Sequence, residues 1–355
     1  MKVMHTYCLN NNLGDYALGI GVKNIFRELF NVDLFADSNL QGQSFDDYFI
    51  DIINQKYDLL IIGGGGIIHG SHWPQGWFWL IKQQLIKKIK IPFIVYGAGY
   101  NYFKDENGIP QRGIDHLKET QSHSAFFSVR KDGSFERLLN QTGIKAEVIA
   151  NPGFWLPLGR NFKLFIKEKY VVVQLANDKP LHRFVSIENR DAFIKNMIVV
   201  LNELADKYKI VFAPHVYEDI EISENIAKEV KNSIVMDFSK FAFDRAIEFM
   251  GIYQNASFVL GMRGHEQIIP LGFGSPVISL ENHDKHCGLM LEYGLGEYNI
   301  NILDKEFVKK TRNLVHSLID NSDEIKNFIK QKNSSLLIDT KSKLEKIIPI
   351  QRFLR

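Results

Sequence analysis

An arginine and a histidine stand two residues apart at Arg263 and His265, directly after the apolar run Phe258–Gly261 and ahead of a segment with helical patterning. A fixed cation, an imidazole and the positive end of a helix at one strand terminus suit a phosphate or carboxylate ligand. A protonatable group would then reach the reacting atom. The plainer reading makes Arg263 a surface ion-pair partner and His265 a capping or packing side chain. Near the start of the chain, Asn10-Asn-Asn-Leu-Gly-Asp15 follows the apolar segment Lys2–Cys8, which puts Gly14 and Asp15 at the start of an amphipathic helix. Asp15 there is the ordinary answer to the helix dipole, and equally a base or acceptor for a substrate hydroxyl.

Further candidates share the position just beyond a strand. Arg130 closes Ala125–Val129, His215 follows Lys209–Ala213 and Pro214, and His182-Arg183 follows Lys169–Leu175. Lys285 comes soon after Pro276–Leu280 and adds another phosphate contact. The segment Asp58-Leu-Leu-Ile-Ile-Gly63-Gly-Gly-Gly66 reads as a buried strand, ending at Ile62, that runs into four glycines. Gly64, Gly65 and Gly66 cost conformational entropy, so the backbone there must turn tightly or approach a ligand closely, and exposed amides would favour an anion. A sharp turn with no ligand is the alternative. Neither the Rossmann G-x-G-x-x-G nor a Walker Lys-Ser/Thr is present.

The elements that position these groups alternate between short apolar runs and amphipathic stretches, as in β-α units on a parallel sheet. The remaining strands are expected at Pro92–Tyr96, Glu147–Ile149, Ser233–Met236 and Ser257–Gly261. Helices are expected at Asp15–Phe30, Gln75–Lys88, Lys131–Gln141 and Arg190–Lys207. Asn151-Pro-Gly-Phe-Trp-Leu-Pro-Leu-Gly-Arg160 fits no regular element and marks a domain boundary. The expected layout is an N-terminal Rossmann-like domain over 1–155 on the acceptor side, a C-terminal one over 156–304 on the donor side, and a basic helical segment over 305–355. A cleft between them is where ligands of open α/β sheets would bind.

With 355 residues, 45% of them hydrophobic, the chain buries more than one ordinary core. The 43 basic and 41 acidic residues nearly balance, which argues against broad nucleic-acid coating, although the last 51 residues are locally basic. The two cysteines, Cys8 and Cys287, form no disulfide framework or Cys-based zinc site, and no signal peptide or membrane-spanning run is visible. A cytoplasmic protein is expected. His69-x-x-His72 and His283-x-x-His286-Cys287 lack a carboxylate constellation, so no metal is expected. Trp73, Trp77 and Trp79 join Lys82, Lys87, Lys88 and Lys90 in a stretch that reads either as a core helix or as one lying on the inner face of a membrane.

Taken in order, Asn12-x-Gly-Asp15, the Asp58–Gly66 strand and glycine run, Phe127-Ser-Val-Arg130, Met262-Arg-x-His265, Gly274-x-Pro276 and Asp284-Lys285 resemble the polysaccharide pyruvyl transferase family over about residues 10 to 290. The resemblance implies a GT-B-like pair of Rossmann-type domains. It also implies transfer of pyruvate from phosphoenolpyruvate to a sugar hydroxyl, often as a ketal on a cell-surface glycan precursor such as a lipid-linked oligosaccharide. The chain departs from the family pattern at Asn151-Pro-Gly, where Asp-Pro-Ala is more usual, and at Gly264, where a larger apolar residue is common. Phosphoenolpyruvate carries a carboxylate and a phosphate, for which Arg263, Arg130, Arg183, Lys285 and helix N-termini are the expected partners. His265 is the expected acid toward C3, with Asp15 or His215 taking the hydroxyl proton. That reaction calls for no metal or redox cofactor. The competing expectations are a GT-B glycosyltransferase using a nucleotide sugar, with Glu266 or Glu281 on the ribose, and a non-catalytic glycan-binding protein.

Overall fold

The computed structural model describes residues 1–9, 12–70, 73, 75–101, 108–157, 166–237, 246–282 and 284–347, with the backbone alone at 246–247 and 284–286. The chain folds into two compact units. The first comprises Met1–Asn10, Leu18–Trp155 and Ser334–Arg355, and the second Asn11–Ala17 and Leu156–Asn333. The first five residues of the helix Leu13–Phe30 thus belong with the second unit and the rest with the first.

The first unit is built on a six-stranded, all-parallel sheet of β1 (Lys2–Tyr7), β2 (Leu34–Asn39), β3 (Leu59–His69), β4 (Phe93–Asn101), β5 (Phe126–Arg130) and β6 (Glu147–Ile149), in the order β2-β1-β3-β4-β5-β6. β4 and most of β3 are buried, as expected of central parallel strands covered on both faces.

The glycine run lies inside a strand and not in a turn. β3 continues through Gly63–Gly66 to His69, with its pairing to β4 shifted between Gly65 and Ile68. Gly63, Gly64 and Gly65 have φ of 117°, 81° and 120°, values that side chains rarely adopt. A Cβ on Gly64 would meet Val22 at 3.0 Å, and one on Gly66 would meet the Asn101 amide at 2.0 Å. Close packing of the protein on itself therefore gives Gly64 and Gly66 a structural reason.

The tryptophan segment is likewise not the helix expected over Gln75–Lys88. It is mostly extended, with bridges Ile68↔Trp77 and Phe45↔Ile81, and only Gln83–Ile86 is helical. Trp77 and Trp79 are fully buried, and Trp77 Nε1 donates to His116 Nδ1 at 3.0 Å. Burial of two indoles outweighs the amphipathic pattern of the lysines. Pro152–Trp155, expected to be linker, is a buried 3₁₀ turn whose Trp155 carbonyl accepts from Asn24 Nδ2 at 2.9 Å. No helix among the described residues is long and apolar enough to cross a membrane.

The second unit carries another six-stranded parallel sheet: β7 (Tyr170–Gln174), β8 (Lys209–Phe212), β9 (Ser233–Val235), β10 (Val259–Gly261), β11 (Val277–Glu281) and β12 (Asn299–Asn301). Their order is β12-β11-β10-β7-β8-β9. This is the Rossmann order, with the chain reversing direction of travel between the neighbours β7 and β10. Crossovers diverge from that point, so the loops leaving the carboxyl ends of the paired strands β7 and β10 start side by side. Gln174 and Gly261 end the two strands.

Candidate functional site

The backbone leaving β10 passes Met262 and Arg263 and enters the nine-residue helix His265–Phe273. Gly261 is required by close approach, since a Cβ there would lie 2.8 Å from the Glu266 Cβ. Arg263 folds back across the switch point. Its Nε donates to Asp219 Oδ2 at 2.8 Å, and one terminal nitrogen donates to Asp219 Oδ1 at 2.7 Å and also to Asp178. Asp219 further accepts from Gln174 Nε2 and from the Asn177 amide, each at 3.0 Å. Burial by itself disfavours charge on the guanidinium, but the two carboxylates more than offset it and hold its pKa above the ordinary value. Burial also pushes the Asp178 carboxyl up, and Arg263 and Arg183 together pull it below the usual range.

Arg183 belongs to the same cluster. It lies on the short helix Pro180–Phe184, where its Nε donates to the Asp178 carbonyl at 2.8 Å and a terminal nitrogen to Asp178 Oδ1 at 2.8 Å, with a further bond to Asn282. Two guanidinium groups and two carboxylates thus balance in charge. Arg263 is not in a surface ion pair: it is a buried strut that ties the turn after β10 to the loop after β7 and to the helix after β8. Asp178 and Asp219 were not singled out by sequence reasoning. Asp178 reads as a turn residue before Lys179-Pro180, and Asp219 as one of three acids in the first turn of the helix Glu218–Ala227.

His265 and Asp15, 250 positions apart in the chain, come together in the second unit. Asp15 Oδ1 lies 3.4 Å from His265 Nε2, and each side chain is 14% exposed. Gly14 makes the approach possible, because a Cβ there would fall 2.1 Å from His265 Nδ1 and 2.3 Å from its Cγ. Asn12 Oδ1 accepts from the Gly14 amide at 2.9 Å, and the Leu13 amide donates to the His215 carbonyl at 3.3 Å. The N-termini of the helices Leu13–Phe30 and His265–Phe273 therefore meet around one imidazole, and both favour negative charge nearby.

His215 is placed behind this point. Its side chain has no exposed surface; the ring Nδ1 is paired with Glu266, and Nε2 is 2.7 Å from the Tyr253 hydroxyl. Burial, with the Glu266 charge, pushes the Tyr253 phenol well above its ordinary pKa. His215 so enclosed does not take a proton from a substrate, and buried Glu266 does not reach a ribose. In the first unit, Arg130 is buried and donates to Asp132 Oδ2 at 2.5 Å, lying across Gly99, where a Cβ would sit 2.3 Å from the guanidinium carbon. Gly64 and Gly65 are buried and Gly66 is partly so.

Lys285 lies on the helix Asp284–Tyr293, and its side chain is outside the described residues, as are His72, His283 and the side chain of His286. Among the described residues, no group of three or more His, Cys, Asp or Glu could hold a metal ion.

The two sheets belong to a known class of fold. Over 98% of its length the chain is similar to UDP-GlcNAc 2-epimerase from Neisseria meningitidis, solved bound to UDP-GlcNAc, at 14% identity, TM-score 0.57 and 100% coverage of that chain. The corresponding enzyme from Methanocaldococcus jannaschii is similar over 90% of this chain and 93% of its own, at 14% identity and TM-score 0.57. A mutant O-GlcNAc transferase from Thermobaculum terrenum aligns with 97% of this chain and 66% of its own, at 10% identity and TM-score 0.51. These likenesses define a protein of two Rossmann-like domains of the GT-B type. No curated protein sequence matches the chain. The polysaccharide pyruvyl transferase family profile matches residues 12–284, and the chain belongs to that family of transferases.

Proposed function

We propose that this transferase moves the pyruvate group of phosphoenolpyruvate onto a sugar hydroxyl of a polysaccharide precursor and closes it as a ketal. The observation that carries this reading is the Asp15–His265 pair beneath two helix N-termini, with Gly14 admitting the ring. The donor is an anion whose reaction needs one proton delivered to carbon and one removed from oxygen.

In the first step the hydroxyl oxygen bonds to C2 of the donor, the C2–C3 π pair takes a proton from His265, and Asp15 accepts the hydroxyl proton. The C2–O bond to phosphate then breaks, its electron pair leaving with the phosphate. A second hydroxyl of the same sugar attacks C2 and loses its proton, giving the ketal and inorganic phosphate. These are additions and substitutions without net electron transfer, so the route uses no redox cofactor. The helix N-termini are suited to meet the donor's charge, as is Lys285 by its place in the chain, because Arg263 and Arg183 already face carboxylates.

The test is mass spectrometry of a panel of free and lipid-linked oligosaccharides incubated with phosphoenolpyruvate and the protein, alongside phosphate release. A pyruvate-sized gain with matching phosphate is expected. Thermal stabilisation by UDP-sugars alone, with no phosphate released on any acceptor, would overturn the reading in favour of a nucleotide-sugar enzyme.

A further inference from the structure

Behind the Asp15–His265 pair lies a buried polar chain that the proposed reaction does not use. Glu266 has no exposed surface although it sits in the first turn of the helix that presents His265. A carboxylate there is costly to bury, and replacing such a pair by apolar residues is often neutral or stabilising, so fold stability alone gives little reason for it. Its partner is His215 Nδ1, and the other ring nitrogen of His215 is 2.7 Å from the Tyr253 hydroxyl. The backbone carbonyl of His215 receives the Leu13 amide at 3.3 Å. Leu13 begins the helix whose next two residues are Gly14, against the His265 ring, and Asp15, against its Nε2. Glu266 is therefore joined to the reacting pair twice: by the peptide bond to His265, and through His215 to the turn that carries Asp15.

We propose that Glu266 and His215 are positioning residues, with Tyr253 fixing the His215 ring, and that together they hold the Leu13–Asp15 turn in register with the His265 imidazole. Two helix N-termini that both carry positive partial charge repel one another, and the contact between them across Gly14 leaves no slack. The His215–Glu266 pair lies between a loop after β8 and the helix after β10, where it opposes that separation. A displacement of about 1 Å is enough to cost about 100-fold in rate.

The inference rests on the proposed transfer for its kinetic arm but not for its spectroscopic one. In Glu266→Gln and in Tyr253→Phe, which removes only a hydroxyl, kcat for pyruvate transfer is expected to fall 10- to 100-fold while KM for phosphoenolpyruvate changes less than threefold. His215→Asn is expected to behave as Glu266→Gln does. In parallel, the ring-nitrogen resonances of His265, assigned by their loss in His265→Asn, are expected to move in the folded Glu266→Gln protein. Unchanged His265 resonances and an unchanged kcat in both variants would overturn the proposal. Should the wild type transfer no pyruvate, the transfer reading fails, and the resonances alone decide this one: moved, they uphold positioning; unmoved in both variants, they refute it.

Discussion

Replacing Gly14 by alanine puts a methyl carbon where the His265 ring already lies, 2.1 Å from Nδ1, 2.3 Å from Cγ and 2.8 Å from Cβ. Ordinary contact begins near 3.4 Å, so the nearest ring atom must retreat by 3.4 − 2.1 = 1.3 Å. Rotation about the side-chain torsions is insufficient, because Cβ itself is too close; the helix start must also move. That shift removes His265 from its place 3.4 Å from Asp15. A misplacement of this size costs about 100-fold in rate, or about 2.7 kcal/mol in transition-state stabilisation. The assay is steady-state pyruvate transfer, with thermal unfolding measured on the same preparation. A folded Gly14→Ala protein with wild-type kcat would refute the claim that the observed Gly14–His265 contact is the working geometry.

His265→Asn is expected to lower kcat by 10²- to 10⁴-fold with little change in phosphoenolpyruvate binding by calorimetry; a loss of binding with kcat intact would assign the ring to substrate capture. Arg263→Ala leaves Asp219 buried without its guanidinium partner and should cost about 3–5 kcal/mol in denaturant unfolding, where an Arg exposed to solvent would cost under 1. His5 is fully buried, and burial lowers its pKa from 6.5 to about 4, partly opposed by its bond to the Gly63 carbonyl. The folded state thus binds fewer protons than the unfolded one, so stability is full above pH 6.5 and falls by about 3 kcal/mol as pH drops from 6.5 to about 4. His5→Phe should flatten that stretch of the stability profile, and an unaltered slope would count against the assignment.

The class of the fold and the strand ends that carry the candidate residues were legible in the chain itself. Parallel strands buried on both faces are apolar, and the turns at their carboxyl ends carry polar residues, so Phe258–Gly261 followed by Arg263 and His265 announces a strand and the helix start after it. The start of the helix Leu13–Phe30 was equally readable from Gly14 and Asp15. Local patterning failed where packing overrode it. The lysine-bearing tryptophan segment has helical spacing, yet two indoles found more burial as extended chain against β3 and His116. Four glycines read as the turn that ends a strand, yet the strand runs on through them with a bulge, with Gly64 packed against Val22 and Gly66 against Asn101.

The partnership of residues was the part no pattern could supply. Strand, turn and helix start are set by neighbours within a few positions, and those signals are written in sequence. Whether Arg263 meets a ligand or Asp219, and whether His215 lies open or sealed by Glu266 and Tyr253, depend on which loops the strand order brings together. That order emerges only when the whole sheet forms, because distant side chains become neighbours through the burial of apolar surface far from the site.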